Sequence, residues 1–100
     1  SSSRKAKSKG VKYDGEKPRY DLMPPFALDE IVRALTYGAQ KYDDDNWRLV
    51  EDGKRRYFAA MMRHAWAYWR GEIYDPETGI HHLAHAACNL LFILEPELEE

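Results

Sequence analysis

Residues 81–96 read HHLAHAACNLLFILEP, and this stretch decides the fold. From Leu83 to Leu94 every residue is apolar or small except His85 and Asn89, a run too long for an ordinary strand and suited to a helix buried among others. Pro96 marks its expected end, because proline lacks the amide that would continue the ladder. The pattern thus predicts a helix over 81–95, enclosed by protein on nearly all sides. His82, His85 and Asn89 stand three and four positions apart, which puts their side chains on one face. A buried polar group left unpaired costs about 1–3 kcal/mol, so three on one stripe require partners. An interhelical hydrogen-bond network would supply them, and so would a bound ion.

Immediately upstream, residues 72–80 read EIYDPETGI, with Pro76 and Gly79 as turn residues. Glu72, Asp75 and Glu77 crowd three carboxylates into this turn, and such groups repel unless a cation or basic groups lie between them. Hard oxygen donors suit Mg²⁺ or Mn²⁺, while imidazoles ligate Mn²⁺ or a later transition ion, or orient water. Before the turn, residues 54–70 place Tyr57, Phe58, Met61, Met62, Ala65, Tyr68 and Trp69 on one broad helix face that ends at Gly71. His64 sits at the border of that stripe, able to join the same volume. The candidate metal ligands are therefore Glu72, Asp75, His82 and His85. The candidate catalytic groups are Glu72, Asp75 and His64, with Mg²⁺ or Mn²⁺ as the expected cofactor. One cysteine cannot furnish a thiolate cluster, which argues against structural zinc.

Further toward the start, Leu28, Ile31, Val32, Leu35, Ala39 and Tyr42 repeat at helical spacing over about residues 26–42, with Pro25 suited to the first turn. The opposite face carries Glu30, Ala34, Tyr37 and Lys41, either plainly solvated or closing a site from a neighbouring subunit. Residues 43–46, DDDN, break the pattern, and the loop up to Gly53 has Trp47 and Leu49 as expected anchors. Lys17, Lys41 and Arg63 offer donors to phosphate. Asn46 and the Trp47 indole are candidate base contacts, and Glu30, Tyr37 and Asn89 complete the candidate substrate-binding set. Residues 11–23, closed by Pro24 and Pro25, read as an extended strap. Residues 1–10, SSSRKAKSKG, read as a disordered basic arm, leaving 11–100 as a single domain.

The expected architecture is a small all-α bundle of three main helices. A chain of 100 residues buries a modest core, so its apolar faces are expected to meet copies of itself as a dimer or tetramer. Residues 1–20 hold seven Lys/Arg against two acids, whereas residues 21–100 hold eight against fifteen. An acidic folded part argues against duplex nucleic acid as a partner, since phosphate neutralisation needs clustered Lys/Arg. No GxxxxGK[ST], GxGxxG or GxSxG pattern is present, which removes P-loop, Rossmann and serine-elbow chemistry at the motif level. Cys88 lies within the apolar run and reads as a small core residue. The longest uninterrupted large-apolar run, Leu90 to Leu94, is far too short for a membrane span. A reducing, cytoplasmic location is the expectation.

Three segments together, KPRYDLMPPFAL (17–28), LTYGAQKYDDDNW (35–47) and RHAWAYWRGEIYDPETGIHHLAHAACNLLFIL (63–94), resemble the small phage-encoded dATP/dGTP diphosphohydrolases, MazZ-like relatives of the all-α MazG nucleoside triphosphate pyrophosphohydrolases. The likeness covers roughly residues 11–95. It implies an oligomeric helical enzyme in which water, assisted by metal, attacks the α-phosphorus of a purine deoxynucleotide and gives dNMP and pyrophosphate. MazG proteins carry EExxE on one helix and ExxD on the next. Here EExxE is absent, ExxD occurs as Glu72–Asp75 in the turn, and the helix before LLF offers His82, His85 and Asn89. A non-catalytic, nucleotide-sequestering oligomer of the same fold is the alternative.

Overall fold

The computed structural model describes residues 15–99, so the arm over 1–10 and the first four residues of the strap lie outside the described residues. Three helices of 17 residues follow one another: α1 (Pro25–Lys41), α2 (Gly53–Trp69) and α3 (His82–Leu98), with short 3-10 turns at Tyr20–Leu22 and Asn46–Leu49. No strand occurs among the described residues; Tyr74 and His81 form a lone antiparallel bridge. The fold is an all-α bundle.

Local chemistry sets the helix ends. Pro25 opens α1, where its missing amide has no helical partner to lose. At the end of α2, Gly71 adopts φ 110, its N–H bonding Tyr68 O at 2.9 Å while Glu72 N–H bonds Ala67 O at 3.0 Å. That paired pattern is a Schellman motif. His81 caps α3, its Nδ1 accepting the Leu83 N–H at 3.0 Å.

α3 is the central helix, packed extensively on α2 and on another side against α1. Ala34 of α1, Ile80 of the turn, and Ala84 and Cys88 of α3 form one buried cluster, flanked by Ile31, Leu35, Tyr37 and Phe92. Ala67 of α2 and Ala86 of α3 are also buried. Apart from Ile80 the buried apolar residues are small, so the helices meet through close approach rather than interlocked large side chains.

Several expectations change here. The inward face of α1 takes Ile31 and Leu35 of the expected stripe together with Glu30, Ala34 and Tyr37, while Leu28 and Val32 are exposed. On α2, Tyr57, Ala60, His64, Ala67 and Tyr68 are buried or half-buried, whereas Phe58, Met62 and Trp69 are exposed, so His64 lies inside the covered stripe. α3 is covered only partly: Leu83, Leu90, Leu91 and Leu94 remain exposed in the single chain. Trp47 anchors its loop by stacking on Phe92, but Leu49 is 81% exposed and anchors nothing. Residues 15–23 of the strap are all exposed.

α3 also passes through Pro96 to Leu98. The proline forfeits one hydrogen bond only a turn from the end, where few ladder bonds remain to be lost. Glu99 beyond it is held by Arg48 through two bonds of 3.0 and 2.8 Å and by its own N–H to Glu95 O at 3.2 Å.

Candidate functional site

The Schellman turn at Gly71 delivers Glu72 directly from the end of α2 toward the start of α3. Its Oε2 lies 2.8 Å from Nε2 of His82, whose side chain is only 6% exposed. A carboxylate at that distance accepts a hydrogen bond from Nε2–H, and in that tautomer the ring's lone pair is on Nδ1. Nδ1 of His82 faces Nδ1 of His64 at 2.9 Å. Two such nitrogens hold one proton between them, or share a cation.

The turn over 72–80 brings Asp75 to the same place. Asp75 N–H bonds Ile80 O at 2.9 Å, Gly79 N–H bonds Asp75 O at 2.7 Å, and His82 N–H bonds Ile73 O at 2.9 Å, closing the loop against the N-terminus of α3. Gly79 has φ 76, a conformation suited to glycine. Asp75 Oδ1 accepts the Glu77 N–H at 2.8 Å. One ligand atom from each of His64, Asp75 and His82 lies within 4.8 Å of the other two.

His85 stands one turn further along α3, its ring stacked on His64 with centroids 4.8 Å apart. Its Nε2 is 2.7 Å from Thr78 Oγ1. That hydroxyl also accepts the Ile80 N–H at 3.2 Å, so Thr78 ties the turn to His85. Burial pushes the pKa of His64 below the ordinary imidazole value, and His85 and His82 nearby push it further. Burial lowers His85 too, against an opposing pull from Asp75. Both shifts favour the neutral imidazole.

Asn89 donates from Nδ2 to His85 O at 2.8 Å and lines a groove of about 620 Å³ together with Asn46, Trp47 and Arg63, bordered by Tyr42, Tyr57 and Phe92. Tyr57 Oη donates to Trp47 O at 2.9 Å. Trp47 lies on Phe92 at 4.9 Å and 17°, and the Arg48 guanidinium sits 4.5 Å above the indole. Glu30 Oε2 accepts the His81 N–H at 3.1 Å and so ties α1 to the N-terminus of α3.

The structure thus gathers His64, Glu72, Asp75, His82 and His85 in one cluster, and Asn46, Trp47, Arg63 and Asn89 along one groove. Lys17 is exposed in the N-terminal segment and lines no part of that groove. Lys41 is exposed over the Tyr42 ring at 5.3 Å. Tyr37 packs against the core. Sequence reasoning passed over Thr78, His81 and Arg48. Thr78 stands seven residues before His85, two helical turns if the turn had been helical, and only the fold of the turn reveals their contact. His81 could have been found as the polar residue before the apolar run, where caps are expected.

Residues 7–100 match the family described as dATP/dGTP diphosphohydrolase, N-terminal. A Salmonella phage PMBT28 protein named dATP/dGTP diphosphohydrolase is 38% identical over 84 residues, covering 84% of this chain. The chain spans 28% of that relative's length. No solved structure matches. The family match takes in all three helices, the histidine–carboxylate cluster and the groove, and the chain belongs to the dATP/dGTP diphosphohydrolase N-terminal family.

Proposed function

We propose that this chain forms a metal-dependent site that hydrolyses purine deoxynucleoside triphosphates to dNMP and pyrophosphate. The observation that carries the reading is the adjacency of two unlike features. Arg63 and Asn89 of the groove are neighbours, in sequence and by one helical turn, of His64 and His85 in the cluster. A triphosphate lying along α2 and α3 would extend from an aromatic base platform to a set of carboxylates and imidazoles.

Within that arrangement Arg63 meets phosphate oxygens through its planar fork of donors. Trp47, backed by Phe92, offers its ring to a purine that exchanges places with the exposed Arg48 guanidinium. Asn46 and Asn89 supply hydrogen-bonding groups at the groove wall. The cluster of carboxylates and imidazoles would hold an ion and orient the attacking water. A bound divalent ion, Mg²⁺ or Mn²⁺, would neutralise the triphosphate and lower the pKa of its water. The exposed Leu90, Leu91 and Leu94 support assembly as a homo-oligomer, dimer or tetramer, in which Lys17, Glu30, Tyr37 and Lys41 approach the substrate across a subunit boundary. A cytoplasmic location belongs to the same reading. Among the described residues no helix is long and apolar enough to cross a membrane.

The test is to incubate the folded chain with each dNTP and Mg²⁺ or Mn²⁺ and to follow products by phosphorus NMR. dNMP and pyrophosphate from dATP or dGTP are expected, with little from pyrimidine nucleotides. Folded protein that binds nucleotide after chelation yet releases no product would replace this reading with a sequestering role.

A further inference from the structure

We propose that His64 Nδ1, His82 Nδ1 and one carboxylate oxygen of Asp75 are the three protein ligands of a single divalent first-row transition ion, with Glu72 orienting His82 from behind and Mg²⁺ excluded as the tightly held ion. The proposal deepens the metal-dependent reading above and rests on it.

Geometry supports the ligand choice. The two Nδ1 atoms are 2.9 Å apart. Two nitrogens bound at about 2.1 Å from one ion, at a right angle, stand about 3.0 Å apart. Asp75 offers its ligand atom within 4.8 Å of both imidazoles, and with Oδ1 committed to the Glu77 N–H its second oxygen is the available donor. Glu72 contacts the opposite nitrogen of His82 at 2.8 Å. A carboxylate behind a ligating histidine fixes the tautomer, aims the lone pair and raises the basicity of the ligating nitrogen.

The same contacts place two other groups outside the ligand set. Glu72 is spent on His82 Nε2, and His85 Nε2 is occupied by Thr78 Oγ1. His85 instead packs its ring on His64 and restrains it.

Donor chemistry decides the class of ion. Mg²⁺ takes oxygen ligands, holds its waters and demands near-ideal octahedral geometry. Two imidazoles and one carboxylate suit Mn²⁺ and the ions after it in the first row, whose affinity for such a site rises toward Cu²⁺. Three protein ligands leave positions for water and phosphate oxygen, which a closed four-ligand structural site would not.

The experiment uses the chain without nucleotide, stripped of metal by a chelator and dialysed. Mn²⁺ is titrated in while the electron paramagnetic resonance signal of free Mn²⁺ is followed, and pulsed spectra of the bound ion are searched for ¹⁴N modulation. One Mn²⁺ per chain is expected, with modulation from two imidazole nitrogens and no displacement by excess Mg²⁺. Glu72→Gln should weaken binding by about 10–100-fold, and His64→Gln and Asp75→Asn by at least as much, in variants whose circular dichroism matches the parent. These positions are preferred to the buried His82, whose replacement risks the fold. Lack of stoichiometric binding, absence of nitrogen modulation, full affinity in both H64Q and D75N, or ready displacement by Mg²⁺ would each overturn the proposal and leave a plain histidine hydrogen-bond chain. Mn²⁺ binding without dNTP hydrolysis would sink the proposed activity but not this site. Hydrolysis supported by Mg²⁺ in a chain lacking the Mn²⁺ site would do the reverse.

Discussion

Two glycine-to-alanine substitutions should move stability in opposite directions. An added Cβ at Gly71 meets no atom within 4 Å, and the same holds at Gly38. Neither substitution gains packing or causes a clash, so each reads the backbone alone. Gly71 sits at φ +110, where an L-residue costs about 1–2 kcal/mol. Gly38 lies within α1 and is absent from the positive-φ positions; alanine there should gain roughly 0.5–1 kcal/mol. For a domain of this size about 1 kcal/mol moves Tm by roughly 4–8 °C. Gly71→Ala should therefore lower Tm by about 4–16 °C, and Gly38→Ala should raise it by about 2–8 °C. Urea unfolding at one fixed protein concentration, with m-values compared, would measure both. Because Gly71 also aims Glu72 at His82, Gly71→Ala should weaken Mn²⁺ binding as well. Equal stability of G71A and the parent would refute the claim that the Schellman turn sets this corner.

Other expectations concern the middle and the end of α3. Burial pushes the Cys88 thiol up to about 12 from 9.0; iodoacetamide at pH 8 should leave it unmodified in the folded chain and label it in urea, and rapid native labelling would contradict its placement. A thiol pKa raised by folding contributes stability that is complete below pH 9 and is lost as pH rises toward 12, so the urea midpoint should fall across that window. Arg48→Ala removes the two bonds to Glu99 and the cation over Trp47. The pair is well exposed and screened by solvent, so global stability should change little. Amide exchange at Leu98 and Glu99 should quicken, and unchanged exchange would mean that the last turn holds without the clamp.

The three helices were legible because an apolar run, two proline positions and the Gly71 stop act locally, where sequence and structure share one length scale. The inward face of α1 was half legible. Periodicity picked out Ile31 and Leu35, which pack on the core, but its weight on large side chains also chose the exposed Leu28 and Val32 and passed over Ala34, whose value is its small size. Pro96 misled because a proline costs a helix its own hydrogen bond without obliging it to stop, and α3 continues two residues past it to Leu98. At the site, the His82–His85–Asn89 stripe and the acidic turn were visible as spacing. What spacing could not supply was the division of partners: which nitrogen faces Glu72, which faces His64, and that Thr78 takes His85. Those assignments depend on the 72–80 turn folding back on α3, a tertiary event without a local signature.

The alanines at the α2–α3 seam act as a gauge. Ala67 lies one turn from His64, and Ala86 one turn from His82, both buried in helices that pack extensively on each other. Interaxial distances run from about 8 to about 10 Å with the bulk of the contact residues, and methyl-sized side chains favour the short end of that range. A larger residue at either position would drive the two imidazoles apart without altering any polar group. The tolerance of the site is thus written in residues that carry no chemistry, and a search for what tunes it should begin with them.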